Sequence, residues 1–144
     1  MKTLTPAQFL RETRNLRNKF DTEIFRAKQD ISQYAVSHFK SSFDRGGFAG
    51  TRGKWAERLR DYPHQIMDKS GALKNSITSS MLGSKIRIET KNGYSQYHND
   101  PTGTWLRNQH SNKPATQRQF IGNSNQLEQW VLKRLQRALT NTFR

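Results

Sequence analysis

The sequence predicts an α+β domain: a long N-terminal helix, continuous or broken near Asp21-Thr22, a small antiparallel sheet of three or four strands, and a closing C-terminal helix. Three observations predict it. Apolar residues recur at spacings of three, four or seven between Phe9 and Phe39. Residues 85–90 alternate strictly between polar and apolar. A second helical stripe runs from Leu127 to Leu139. Helical periodicity, then strand periodicity, then helical periodicity again is the pattern of segregated α and β elements.

Thr5-Pro6 opens the first helix, because threonine caps well and proline's missing N–H is not needed at the first helical position. Phe9, Leu16, Phe20, Ile24, Ala27, Ile31, Tyr34, Ala35 and Phe39 form one stripe, with Arg11, Arg14, Lys19, Arg26 and Lys28 mostly off it. A helix this long with one apolar side requires a sheet or another subunit against it. Residues 44–54 carry four glycines and end the helix as a connecting or subunit-contacting loop. They do not fit a phosphate-binding loop: Phe48 stands where the first glycine belongs, and Lys54 is followed by Trp55, not Ser or Thr.

Trp55 and Leu59 anchor the chain beyond this loop. Ile66-Met67 leads to Ser70-Gly71 and a strand with Leu73, Ile77 and Met81 on its buried side. Gly83 turns the chain, and Lys85 to Thr90 is the half-buried partner strand. Lys91-Asn92-Gly93 is a turn, since Asn-Gly tolerates positive φ. Tyr94 to His98 is read as a third short strand, residues 99–117 as an extended loop, and Gln119 to Ile121 as a return to the sheet. Asn123 or Ser124 caps the last helix, with Gln126 the capping-box partner of Asn123. The whole is one domain over 1–144: a helical arm at 1–43, a glycine-rich loop at 44–54, sheet and long loop at 55–122, and the closing helix at 123–141.

The chain has 144 residues and a formal net charge of +14, from 25 Lys plus Arg against 11 Asp plus Glu. Such a surplus suits a polyanionic neighbour such as DNA. Hydrophobic residues make up 32%, below the roughly half usual in globular domains, so part of the chain is expected to gain order from neighbours. With no cysteine, disulfide scaffolds and cysteine-based zinc sites are excluded. No apolar run suggests a membrane span, and the charged residues after Leu10 argue against a signal peptide. Synthesis in the cytoplasm is the expectation.

Catalytic constellations are weak. His98, Asn108 and His110 do not have the strand-pair and helix spacing of a His-Asn-His nuclease. The carboxylates Glu57, Asp61, Asp68, Glu89 and Asp100 are dispersed, and Ser70 lacks the glycine that precedes a strained nucleophile turn. No catalytic residue, cofactor or metal is therefore assigned. Arg52-Gly53-Lys54-Trp55 and Trp105-Leu106-Arg107 interleave aromatic and basic residues, which makes Arg52, Lys54 and Arg107 candidates for sequence-independent contact with a DNA backbone.

The stronger pattern lies in the order of several short segments. It comprises Trp55; Ile66-Met67; Ser70, Gly71, Leu73, Ser76 and Ile77; Ile86 and Ile88; Tyr94, Tyr97 and His98; then Arg118, Phe120, Ile121 and Gly122 before the closing helix. This order resembles the phage virion morphogenesis and tail-completion proteins of Mu-like phages over residues 55–139. The chain departs from that pattern where Asn99-Asp100-Pro101 delays the glycine after His98, and where Gln119 replaces a proline. The resemblance implies a non-enzymatic structural protein that completes the tail or joins head and tail, as an oligomeric ring at the DNA channel of the virion. Its expected neighbours are tail-tube, connector or portal proteins, and packaged DNA by charge. A sequence-independent nucleic-acid-binding module is the alternative, and a small nuclease or toxin a more distant one. Within the motif, Gly71 is expected to turn the chain into the strand, Tyr97 and His98 to hold the loop, and Arg118 to pair with a carboxylate within the subunit or across an interface.

Overall fold

The computed structural model describes residues 3–51, 53–58, 61, 63–99 and 117–144, with Tyr97 described by its backbone alone. The elements run α1 (Pro6–Arg45), α2 (Ala72–Asn75), β1 (Ile77–Leu82), β2 (Lys85–Thr90), α3 (Ser95–Asn99) and α4 (Asn125–Thr142). The class is α+β, as predicted, with two strands among the described residues. The chain divides into two compact units, one of residues 1–31 and 128–144, the other of residues 32–127.

α1 begins where Thr5-Pro6 places it. The Thr5 N–H donates to Gln8 Oε1 at 2.9 Å and the Gln8 N–H to Thr5 Oγ1 at 3.3 Å, a reciprocal cap. The helix runs through Asp21-Thr22 without a break. Neither residue carries proline's ring or glycine's freedom, so nothing there forces an interruption.

In the first unit, α1 and α4 are joined by two polar side-chain contacts. Ala27 on α1 and Ala138 on α4 are both fully buried. Asp30 Oδ2 accepts from Arg134 Nε at 2.6 Å, and Glu23 Oε2 accepts from Asn141 Nδ2 at 3.1 Å. Moving toward the C-terminus along α1 matches moving toward the N-terminus along α4, so the pair is antiparallel.

The second unit is built on an aromatic core of Phe39, Phe43, Phe48, Trp55, Leu73, Ile77 and Phe120. Gly46 ends α1 at φ +64. The Gly47 N–H then reaches the Ser42 carbonyl at 3.0 Å, and the Gly46 N–H reaches that of Phe43 at 3.3 Å, a Schellman closure. The glycine-rich loop folds back so closely that a Cβ on Gly47 would stand 2.2 Å from the Gly53 carbonyl. Ser42, fully buried, accepts from the Ala49 N–H at 3.0 Å. β1 and β2 pair antiparallel from Ile77↔Thr90 to Leu82↔Lys85, joined by Gly83 at φ +58 in the first place of a two-residue loop.

Four expectations are corrected. Residues 95–99 form the short helix α3, not a third strand. The turn at Asn92 that feeds it is made by side-chain capture: Asn92 Oδ1 accepts from the Tyr94 N–H at 3.2 Å, and Gly93 has no positive φ. Residues 119–121 do not rejoin the sheet; the N–H groups of Phe120 and Ile121 turn elsewhere, as described below. Leu73 lies on α2, so the strand begins only at Ile77, and Met81 is exposed. Of the two caps expected for the closing helix, Ser124 is the one used: its Oγ accepts from the Leu127 N–H at 3.2 Å.

Candidate functional site

The segments singled out in sequence meet in the second unit. Trp55, Leu73, Ile77 and Phe120 belong to one core cluster. The Phe43 ring lies 5.3 Å from Phe120 and 5.6 Å, edge-on, from Trp55. Trp55 Nε1 donates to the Gln119 carbonyl at 2.8 Å, so the indole packs with its one polar atom satisfied. Gly71 takes φ +71 and turns the chain as expected, but into the short helix α2 and not directly into the strand. Ser70 Oγ accepts from the Ala72 N–H at 3.4 Å, and Ser76 Oγ bonds the Leu73 carbonyl at 2.7 Å and Thr90 Oγ1 at 2.5 Å. Gly122 leaves no room for a Cβ beside the Gln119 amide, which itself donates to the Ile121 carbonyl. These residues are scaffold.

Asn99 is the residue that sequence reasoning missed. Its Oδ1 accepts from both the Phe120 and Ile121 N–H groups, at 2.9 and 3.2 Å. In sequence it stood out only as an interruption before the expected glycine. In the structure it replaces strand pairing for residues 120–121. The Arg118 N–H adds a bond to the His98 carbonyl at 3.1 Å.

Beyond this scaffold lies a cationic cavity of about 490 Å³, lined by Arg58, Pro63, His64, Ile66, Met67, Lys69, His98 and Arg118. Arg118 donates to the Ala56 carbonyl at 3.1–3.2 Å and to that of Glu57 at 3.4 Å. It makes no ion pair among the described residues. Arg58 is held by the carbonyls of His64 and Gln65 and by His64 Nδ1. Burial, then the nearby Arg58 charge, lowers the Arg118 pKa. His98, beside Tyr94 with ring centroids 6.4 Å apart and edge-on, is lowered by burial and then by Arg118. Its Nδ1 is buried without a hydrogen-bond partner. Met67 sits at φ +63, a conformation that costs a side-chain-bearing residue about 1–3 kcal/mol.

His64, Met67, Lys69 and His98 also line a smaller cavity of about 170 Å³ with Gly71 and Tyr94. The pocket therefore joins two motif residues, His98 and Arg118, to Arg58, His64, Met67 and Lys69, whose role the sequence did not announce. The cluster of cations between 58 and 69 was visible in the sequence; the left-handed backbone at Met67 has no sequence signature. Lys54 is exposed, while Arg52, Arg107, Asn108, His110 and the side chain of Tyr97 lie outside the described residues. No group of three His, Cys, Asp or Glu side chains suited to a metal occurs among the described residues. No helix among them is long and apolar enough to cross a membrane.

Comparison with protein-family models, with curated proteins and with solved structures finds no match.

Proposed function

We propose that this protein is a non-enzymatic phage assembly component that completes the tail or joins head and tail, working as an oligomeric ring at the DNA channel. The supporting observation is the distribution of exposed apolar side chains. Of the twelve large ones exposed among the described residues, nine fall in the first unit: Leu4, Phe9, Leu10, Leu16, Phe20, Phe25, Leu132, Leu139 and Phe143. Every described residue before Glu23 is exposed, so some four turns of amphipathic helix present their apolar stripe to solvent. Covering one such Leu or Phe is worth about 1.5–3 kcal/mol. A surface of this kind is characteristic of chains that are finished by their neighbours. The order of motif segments from Trp55 to Gly122 supplies the phage assignment, and the +14 charge suits a place beside packaged DNA.

Electron microscopy of particles made without the gene tests the assignment. Full heads accumulating apart from tails are expected; normal infectious particles would overturn it. The charge also favours a second reading, a sequence-independent nucleic-acid-binding module. That reading expects tight, steeply salt-dependent binding of free DNA by the isolated protein.

A further inference from the structure

The cavity at Arg118 has a feature that the scaffold role of its neighbours leaves unexplained. A half-buried guanidinium costs free energy unless its charge is met, and backbone carbonyls answer it only with partial charge. The described contacts of Arg118 are the carbonyls of Ala56 and Glu57 and nothing more negative. Arg58 and Lys69 add two further cations to the same cavity, and no carboxylate is among the described residues that line it. His98 closes one side with an unpartnered buried nitrogen.

The size and walls narrow what would fill it. At about 490 Å³ the cavity is larger than a lone inorganic anion needs and lies in the range of pockets that hold organic groups. Pro63, Ile66 and Met67 make one wall aliphatic. Single-stranded nucleic acid binds along open basic grooves and stacks its bases on aromatic rings. Here Arg58 and Arg118 are half-buried beside an aliphatic wall, and no Phe, Tyr or Trp is among the described residues that line the cavity. The Ala56 and Glu57 carbonyls hold the Nε and Nη2 edge of the Arg118 guanidinium, which leaves Nη1 to meet a carboxylate.

We propose that the pocket framed by Arg58, Lys69, His98 and Arg118 binds an acidic segment of a partner polypeptide. A carboxylate lies against the Arg118 guanidinium, and an adjacent apolar side chain covers Ile66 and Met67. The strained Met67 backbone is part of the device, because it holds a flexible thioether side chain at the cavity wall. This pocket lies wholly in the second unit and makes no use of the apolar arm, so it stands or falls separately from the assembly assignment.

The test uses the full chain and a fluorescent peptide, acetyl-Gly-Leu-Glu-Leu-Glu-Gly-amide, read by anisotropy. Its Gln-for-Glu analogue and a roughly 20-nucleotide single-stranded DNA serve as competitors. Saturable binding of the acidic peptide is expected, with the analogue weaker by about tenfold or more, the worth of a charge-assisted hydrogen bond. Lys69→Gln, at an exposed position, should weaken binding while leaving the thermal transition unchanged. Arg118→Lys should weaken it as well although the charge is retained, because a lysine ammonium lacks the planar donors that hold the Ala56 and Glu57 carbonyls while Nη1 faces the ligand. The His98 ring signals in NMR should shift with the acidic peptide and not with the analogue. Equal affinity for the two peptides would overturn the proposal. So would displacement of the peptide by the DNA with loss of DNA binding in Lys69→Gln, an outcome that makes the pocket a phosphate site.

Discussion

Phe120→Ala is the sharpest test of the second unit's core. Phe120 is fully buried, its ring tilts against Phe43 at 5.3 Å, and its own backbone is pinned by Asn99. Removing the ring forfeits about 2 kcal/mol of transfer free energy. The cavity left behind adds a term of similar size where its walls cannot move in. Collapse is hindered here because Phe43 is also held edge-on to Trp55, whose indole is tied to the Gln119 carbonyl. The expected loss is therefore near the upper part of the aromatic-to-alanine range, about 3–5 kcal/mol. Urea unfolding followed by circular dichroism measures it, with Phe120→Leu as the volume-sparing companion, expected to cost much less. A loss below about 1 kcal/mol for Phe120→Ala would refute the argument, since a site with rigid walls cannot absorb a missing ring that cheaply.

Other perturbations probe separate features. Gly46→Ala should cost about 1–2 kcal/mol from its left-handed backbone alone, because no atom stands within 4 Å of the added Cβ. Gly47→Ala should cost clearly more, since its Cβ meets the Gly53 carbonyl; thermal melts of the two variants rank them. Ala27→Leu should lower stability by about 1–3 kcal/mol through overpacking at a fully buried position, and a thermal melt should report it. The Asn141 hydrogen bond, with help from Arg26, holds the Glu23 pKa below 4.5. Its contribution is therefore present above pH 4.5 and lost as pH falls through the folded-state value, a slope that Glu23→Gln should flatten. His98 and His38 run the same way from a different cause. Burial lowers both below 6.5, so the unfolded chain takes the proton first and stability falls as pH drops below 6.5. Arg118, Arg58, His64 and Lys69 surround the first, and Arg45 faces the second. Histidine NMR titrations check both.

The long elements were legible because they obey simple periods. α1 begins with its proline and cap at Thr5-Pro6, and β2 alternates as a half-buried strand should. The errors fall where a single side chain outbids local pattern. Tyr94–His98 looked like a strand until Asn92 captured the backbone and turned it into helix. Phe120 and Ile121 looked like strand because both are apolar, yet their N–H groups are taken by Asn99, 21 and 22 residues away in sequence. Periodicity carries no information about such long-range acceptors. The cavity was legible only in fragments: His98 and Arg118 belonged to a pattern, whereas their nearness to Arg58 and Lys69 depends on how the 56–70 segment is led past them.

The Ser42 hydroxyl bears on how the chain is made. It donates to the Phe120 carbonyl at 3.4 Å across 78 residues, and Trp55 reaches the Gln119 carbonyl across 64. During synthesis Phe39, Phe43 and Phe48 emerge long before the segment that shields them, and loop closure over that distance must precede any reward. Until residue 120 has left the ribosome, the nascent protein carries an open aromatic surface. Its yield in a cell should therefore depend on how quickly translation passes from the glycine-rich loop to residue 120, and on chaperones that hold the chain meanwhile.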